Sequence, residues 1–279
     1  MAETGAKTDW SNLSTRLGSA LVIAAVAFVC LWFGGWVWAT LIILGAARMM
    51  FEWKRLIAAK SAKEPSFFTL ESAMVVAALV FFTLGWISWP GVLGACAGML
   101  LFFIFGRERR PAQSWEGLGL AYIILPATAA IWTRDGGVGV EAEGFQLALF
   151  VIVSVIAADA GAYFAGKSIG GPKFAPRISP NKTWAGFGGG VVAGSVAGAV
   201  IAELFGHGFG LAAIVAAAVV VASVAGDLLE SAFKRHFDVK DIGSFLPGHG
   251  GLLDRVDSHM AAFVLIALIA ALLPTFLPL

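Results

Sequence analysis

Charge is what this sequence has least of. Of its 279 residues only 13% are Asp, Glu, Lys or Arg, while 59% are apolar and the mean hydropathy is +0.85. A soluble domain carries about 25% charged residues, and no water-soluble fold of this length has a core large enough to hide so much apolar surface. Lipid must therefore be part of its solvent. The charges that remain nearly cancel, at net +1, which argues against nucleic acid as a partner. Cysteine is scarce as well. Cys30 and Cys96 lie in separate apolar runs, a pattern that suggests neither a disulfide framework nor a thiolate metal site. The polar stretch from Met1 to Arg16 precedes the first apolar run without a clean cleavage site, so it reads as a cytoplasmic tail and not a removable signal.

What the chain does have is a succession of apolar runs. A membrane helix needs about 20 apolar residues, somewhat fewer when it is tilted or buried in protein. Nine runs qualify: 17–33, 36–50, 67–88, 91–106, 117–133, 145–166, 185–206, 209–232 and 259–277. Only Gly34-Gly35 parts the first two, so a single bent helix and a total of eight is the alternative; Pro90-Gly91 likewise punctuates the third and fourth. The expectation is an all-α, polytopic helical membrane protein of about nine transmembrane helices with a cytoplasmic N-terminus. In that arrangement the inner segments 1–16, 51–66, 107–116, 167–184 and 233–258 hold 17 of the 19 Lys and Arg, as inner loops do. Arg48 closes the inner end of the second run and only Arg134 falls outside. Fusing the first two runs would move the N-terminus but leave every later loop in place. Glycine recurs, at Gly186 to Gly190 and again through Ala193 to Gly198, which reads as close helix packing. No soluble domain or internal repeat is visible. Residues 1–279 read as one membrane domain, with 1–116 supplying N-terminal helices and 117–279 the catalytic helices and cytoplasmic loops.

Two inner loops concentrate the chemistry. The last, Ser231 to Asp257, packs Lys234, Arg235, Lys240 and Arg255 with Asp238, Asp241, Asp254 and Asp257 and with the glycines around His249. Basic side chains beside glycine suit polyphosphate, because glycine lets backbone N–H groups approach the oxygens. Clustered carboxylates suit a hard cation such as Mg²⁺, which shares oxygen ligands with substrate phosphates. Asp254 and Asp257 are three apart, as are Asp227 and Glu230 near the end of the preceding run, so each pair shares a helix face. The plainer reading of such charges is a solvated loop pairing within itself. Asp227 tips the balance, since a carboxylate inside an apolar span is costly and usually functional. Asp159, within the run ahead of Tyr163, carries the same argument, although bonding within the bundle would also satisfy it. The other loop reads Ser179-Pro-Asn-Lys-Thr-Trp184. Lys182, Ser179 and Thr183 offer a cation and two hydroxyls at a helix start, where phosphate can be held; a simple turn and cap accounts for the same residues.

Residues 231–257 resemble the signature of phosphatidate cytidylyltransferases, the CDP-diacylglycerol synthases. Ser231, Lys234, Arg235, Lys240, Asp241, Gly243, Pro247, His249, Gly250, Gly251, Asp254, Arg255 and Asp257 all fall in register with it. The Ser179 to Trp184 segment is similar to the family's second motif, and Asp159 with Tyr163 fits the helix before it. The resemblance covers roughly 120–260. Asn181 and Ala185 depart from it, standing where the family often has Lys and Glu, so position 185 is given no role.

The resemblance implies transfer of a cytidylyl group from CTP to phosphatidate for phospholipid biosynthesis, at the cytoplasmic face of a bacterial inner membrane. It implies Mg²⁺, with a second cation left open, held by Asp227 and Asp254 with Asp257 and Glu230 as further ligands. Lys234, Lys240 and Arg255 complete the catalytic set with those two aspartates. Arg235, Ser179, Lys182, Thr183, Asp159, Gly250 and Gly251 would meet substrate. His249 would either touch phosphate or fit a tight turn. Partners are then CTP, phosphatidate and membrane lipid, and a homodimer is compatible with all of this. The rivals are an ion-coupled transporter using Asp159, Asp227 and Glu230, and another lipid phosphotransferase with acidic inner loops. The crowding of ionisable groups toward one face disfavours the transporter.

Overall fold

The computed structural model describes residues 10–58, 69–85, 87–106, 108–109, 111–243 and 250–273. Among these there are nine helices and one short hairpin. The helices are α1 (Trp10–Phe33), α2 (Gly35–Ile57), α3 (Leu70–Thr83), α4 (Trp89–Gly106), α5 (Pro111–Thr133), α6 (Glu143–Ser168), α7 (Trp184–Leu204), α8 (Phe209–His236) and α9 (Leu253–Leu272). The hairpin, β1 (Lys173–Ala175) and β2 (Ser179–Thr183), lies between α6 and α7. Six helices, α4 to α9, are long and apolar enough to cross a membrane, which makes this a multi-pass membrane protein. The apolar part of α1, Leu21–Phe33, and the whole of α3 are shorter, and α2 carries Arg48, Glu52, Lys54 and Arg55 in its second half.

The first two apolar runs form two helices and not one bent one. Gly34 adopts φ +61 and Gly35 φ +48, a left-handed backbone that glycine tolerates without Cβ strain. The break frees carbonyls at the end of α1, and a distant side chain takes them up. Arg134 is wholly buried and donates from Nε to the Leu31 carbonyl and from Nη2 to the Trp32 carbonyl at 3.0 Å.

Among the described residues the fold is all-α as expected, with this one hairpin between two of its helices. The hairpin's antiparallel register pairs Lys173 with Thr183 and Ala175 with Ser179. Ser179-Pro180 thus opens a strand where the sequence suggested a turn. The hairpin is pinned to α7 by aromatic contact, Phe174 stacking on Phe187 at 5.0 Å and meeting Trp184 edge-on at 4.6 Å. Thr183 then caps α7, accepting from the Gly186 N–H at 3.1 Å.

Glycine decides how the helices beneath the hairpin meet. Gly186, Gly190, Gly194 and Gly198 are buried at every fourth position of α7, one continuous face. A Cβ at Gly186 would stand 3.0 Å from the Ala162 carbonyl, and one at Gly190 3.0 Å from that of Ala158. The α6 and α7 backbones are therefore as close as side-chain-free surfaces allow. Gly226 does the same for α8 on α9, where a Cβ would come within 2.6 Å of the Asp257 carbonyl. Two apolar cores result. One gathers α1, the start of α2, α5, α6, α7, α8 and α9 around Phe145, Phe150 and Ile266. The other joins α2, α3, α4 and α5 to Ile242 and Leu253 through Met50, Trp53 and Leu79. This second core crosses the boundary at residue 116 and ties the N-terminal helices to the start of α9.

Candidate active site

On α8, Glu230 and Ser231 stand three and four residues after Asp227, and Lys234 stands four and three after them, so the four share a face. On α9, which begins at Leu253 and not at the apolar run from 259, Asp254, Asp257 and Ser258 share another. The close α8–α9 approach at Gly226 turns these faces toward each other. The α6–α7 approach adds Asp159 and Tyr163 from one side and Lys182 and Thr183 from the other.

Two polar clusters form. In the first, Lys182 Nζ lies 2.5 Å from Asp227 Oδ2, and Ser231 Oγ donates to Asp227 Oδ1 at 3.3 Å. This pair opens on a cavity of about 410 Å³ that Asp159, Tyr163, Lys167, Thr183 and Ser258 also line. Phe174, Phe187 and Val224 form its apolar wall. A charged floor beside an apolar wall fits a ligand with a polar head and an apolar body. In the second cluster Lys234 Nζ bridges Glu230 Oε2 at 2.5 Å and Asp254 Oδ1 at 2.9 Å. Asp254 Oδ2 accepts the N–H of Ile242 at 3.0 Å and of Gly251 at 3.3 Å. Asp257 is buried between the helices and accepts its neighbour's N–H, Ser258, at 2.7 Å.

The structure therefore divides the carboxylates that the sequence grouped. Asp227 pairs with Lys182 at the cavity, whereas Asp254 is held by Lys234 and two backbone N–H groups. Glu230 belongs with Asp254. Arg235 turns away from both, donating Nε–H to the Ile178 carbonyl at 3.2 Å and so tying α8 to the hairpin. Ser179 sits half-buried at the start of β2, Lys240 and Arg255 are exposed, and Gly250 turns the chain at φ +89 beside the buried Gly251. His249 lies outside the described residues.

For a hard cation the donor chemistry is right, because carboxylate and hydroxyl oxygens predominate. Among the described residues no three His, Cys, Asp or Glu side chains stand close enough together to hold a metal ion. Glu230 nevertheless fits one. Its side chain is 1% exposed and neither oxygen has an aligned hydrogen-bond donor, although Lys234 is near. Lys234 is the cation that meets Oε2, at 2.5 Å, and Oε1 is left without a donor, a position that a metal ion would satisfy.

One residue of this region escaped the sequence reading. Glu52 of α2 is wholly buried and accepts the N–H of Leu252 at 3.0 Å and of Leu253 at 2.8 Å. Arg48 pairs with it at 3.2 Å. Its only sequence signal is a carboxylate at the margin of an apolar run.

A family model described as "Cytidylyltransferase family" matches residues 14–273. The chain belongs to the cytidylyltransferase family. It is 35% identical over 263 residues to the phosphatidate cytidylyltransferase of Brucella suis, an alignment covering 94% of each chain. It is 40% identical over 210 residues to the phosphatidate cytidylyltransferase of Pseudomonas aeruginosa, covering 71% of this chain and 69% of that one. A protein of the same name from Bacillus subtilis is 42% identical over 119 residues, 42% of this chain and 44% of its own. The match spans residues 231–257, of which Ser231 and Lys234 lie on α8 and Asp254 and Asp257 on α9.

Proposed function

We propose that this protein transfers the cytidylyl group of CTP to phosphatidate, giving CDP-diacylglycerol and pyrophosphate. The observation that carries the reading is the end-to-end likeness to the Brucella suis phosphatidate cytidylyltransferase, at 94% coverage of both chains. The site supports it. A phosphate monoester oxygen of phosphatidate bonds to the α-phosphorus of CTP, and the bond from that phosphorus to the bridging oxygen of the β-phosphate breaks. A phosphate monoester carries about −1.5 to −2 charge at neutral pH, so the nucleophile needs no general base. The difficulty is the meeting of two polyanions, and cationic side chains offset it.

Lys182 faces the cavity from the hairpin, and Lys167 joins it from the end of α6. Lys234 carries positive charge to the α8–α9 face, where Lys240 and Arg255 of the following segment would meet phosphate oxygens. Thr183 places a hydroxyl at the foot of α7, where the helix N-terminus favours anions, and Ser179 offers another at the opposite end of β2. The apolar wall of Phe174, Phe187 and Val224 takes the glycerolipid side of the substrate. Mg²⁺ would be held by Glu230 and Asp254 in place of Lys234, or by Asp227 in place of Lys182, with Asp257 buried between the two helices. Bound there, Mg²⁺ would supply countercharge for the triphosphate and the departing pyrophosphate. The placement of Lys and Arg supports a cytoplasmic face for this site and nine crossings from a cytoplasmic N-terminus, and the bacterial relatives support an inner membrane.

The test is pyrophosphate release by purified protein in detergent with CTP and phosphatidate, with and without Mg²⁺, for the wild type and Asp254→Asn. Mg²⁺-dependent release that the substitution abolishes in a folded protein supports both the reaction and the cation. No release under any lipid or metal condition sinks the reading.

A further inference from the structure

The last helix starts without a cap of its own. Leu252 precedes α9 and has no side chain able to accept a hydrogen bond, yet the first N–H groups of any helix lack partners within it. Three successive N–H groups here go to carboxylates. Gly251 donates to Asp254 Oδ2, while Leu252 and Leu253 donate to the two oxygens of Glu52, 200 and 201 residues away in the chain. The N-terminus of α9 thus rests on a buried carboxylate from α2, placed where the helix dipole favours negative charge. Arg48, one turn earlier on α2, pairs with the same Oε1 that accepts the Leu252 N–H.

The glycines of this segment fit that arrangement. A Cβ on Gly251 would stand 3.0 Å from both Glu52 Oε2 and Asp254 Oδ2, and one on Gly243 would stand 3.0 Å from Glu52 Oε1. Glu52 and Asp254 therefore share one backbone turn between them. Packing adds to the hold, since Ile242 and Leu253 are buried in the same core as Met50 and Trp53. Asp254 in turn holds Lys234, so displacement at Leu252 and Leu253 passes directly to the Lys234–Asp254 pair.

We infer that Glu52 is a positioning residue of the cytidylyl transfer, fixing the start of α9 and through it Asp254 and Lys234. This rests on the proposed function. It makes α2 part of the catalytic apparatus, with a duty distinct from membrane insertion.

Glu52→Gln is the variant to make, because it keeps the volume but can accept only at one atom, leaving one buried N–H facing an amide NH₂. Turnover of CTP and phosphatidate is measured in detergent with the full chain, together with Tm and hydrogen exchange at residues 250–254. Leu79→Ala, which opens the same core away from α9, serves as the destabilised control. Misplacement of a catalytic group costs on the order of 100-fold. The expectation for Glu52→Gln is a kcat lower by about tenfold or more, a KM for CTP within about threefold, faster exchange at 250–254, and a Tm above that of Leu79→Ala. Wild-type kcat in Glu52→Gln overturns the inference. So does a kcat loss that Leu79→Ala reproduces at equal Tm. If the wild type turns over no CTP, the functional reading falls instead, and unchanged exchange at 250–254 in Glu52→Gln then overturns the hold on α9 as well.

Discussion

Lys182 Nζ stands 2.5 Å from Asp227 Oδ2, joining the end of β2 to α8. Both side chains are partly exposed at the cavity, 25% and 33% respectively, so neither is sealed into the bundle. The pair leaves both a carboxylate and an ammonium open to the cavity. A phosphate binding at Lys182 would release Asp227, and a cation binding at Asp227 would release Lys182.

Asp227→Asn and Lys182→Met should each lower kcat by about 10²–10³-fold, the usual loss for one preorganised electrostatic group. Because the two act on each other, the double variant should fall no more than about tenfold below the worse single one. Pyrophosphate release by the four proteins tests this. Losses that multiply would mean the residues work independently.

Lys234→Met should destabilise the chain. It strips Glu230 and Asp254, with side chains 1% and 8% exposed, of the cation they share. Breaking a buried ion pair from one side costs about 3–5 kcal/mol. Thermal unfolding in detergent should show a large drop in Tm, and Glu230→Gln added to Lys234→Met should recover part of it. A Tm equal to wild type would refute the description of this cluster as buried and mutually dependent.

Gly194→Leu should damage the protein more than Gly188→Leu. A Cβ at Gly194 meets the Ser154 carbonyl at 2.6 Å, whereas one at Gly188 meets nothing within 4 Å. Overpacking costs about 1–3 kcal/mol and would part α6 from α7, taking Asp159 away from Lys182. Tm and turnover should fall together at 194 and stay near wild type at 188. Equal tolerance at both positions would contradict the close α6–α7 contact.

Membrane sidedness is open to labelling. With Cys30 and Cys96 replaced by Ser, a cysteine at Lys173 should react with an impermeant maleimide only after the cells are opened. One at Val138, 62% exposed between α5 and α6, should react in intact cells. The reverse pattern would invert the proposed orientation.

The membrane class, the helix order and the residues of the 231–257 signature were legible in the sequence, because each is local. Apolar runs announce helices by length, and a carboxylate inside such a run announces its cost wherever it ends up. The break at Gly34 was ambiguous until Arg134, a hundred residues on, was seen to take up the freed carbonyls. Which charges meet was not legible at all. Asp227 and Asp254 looked alike at the ends of neighbouring helices, but helix rotation, set by glycine faces at Gly190 and Gly226, sends one to Lys182 and the other to Lys234. Glu52 was hidden for a further reason. Its partners are backbone N–H groups at Leu252 and Leu253, and an N–H leaves no mark in a sequence. Composition determined where this chain lives and its motifs which chemistry it carries. Only tertiary packing decided which acid holds which base, since that depends on the contact of surfaces far apart in the chain.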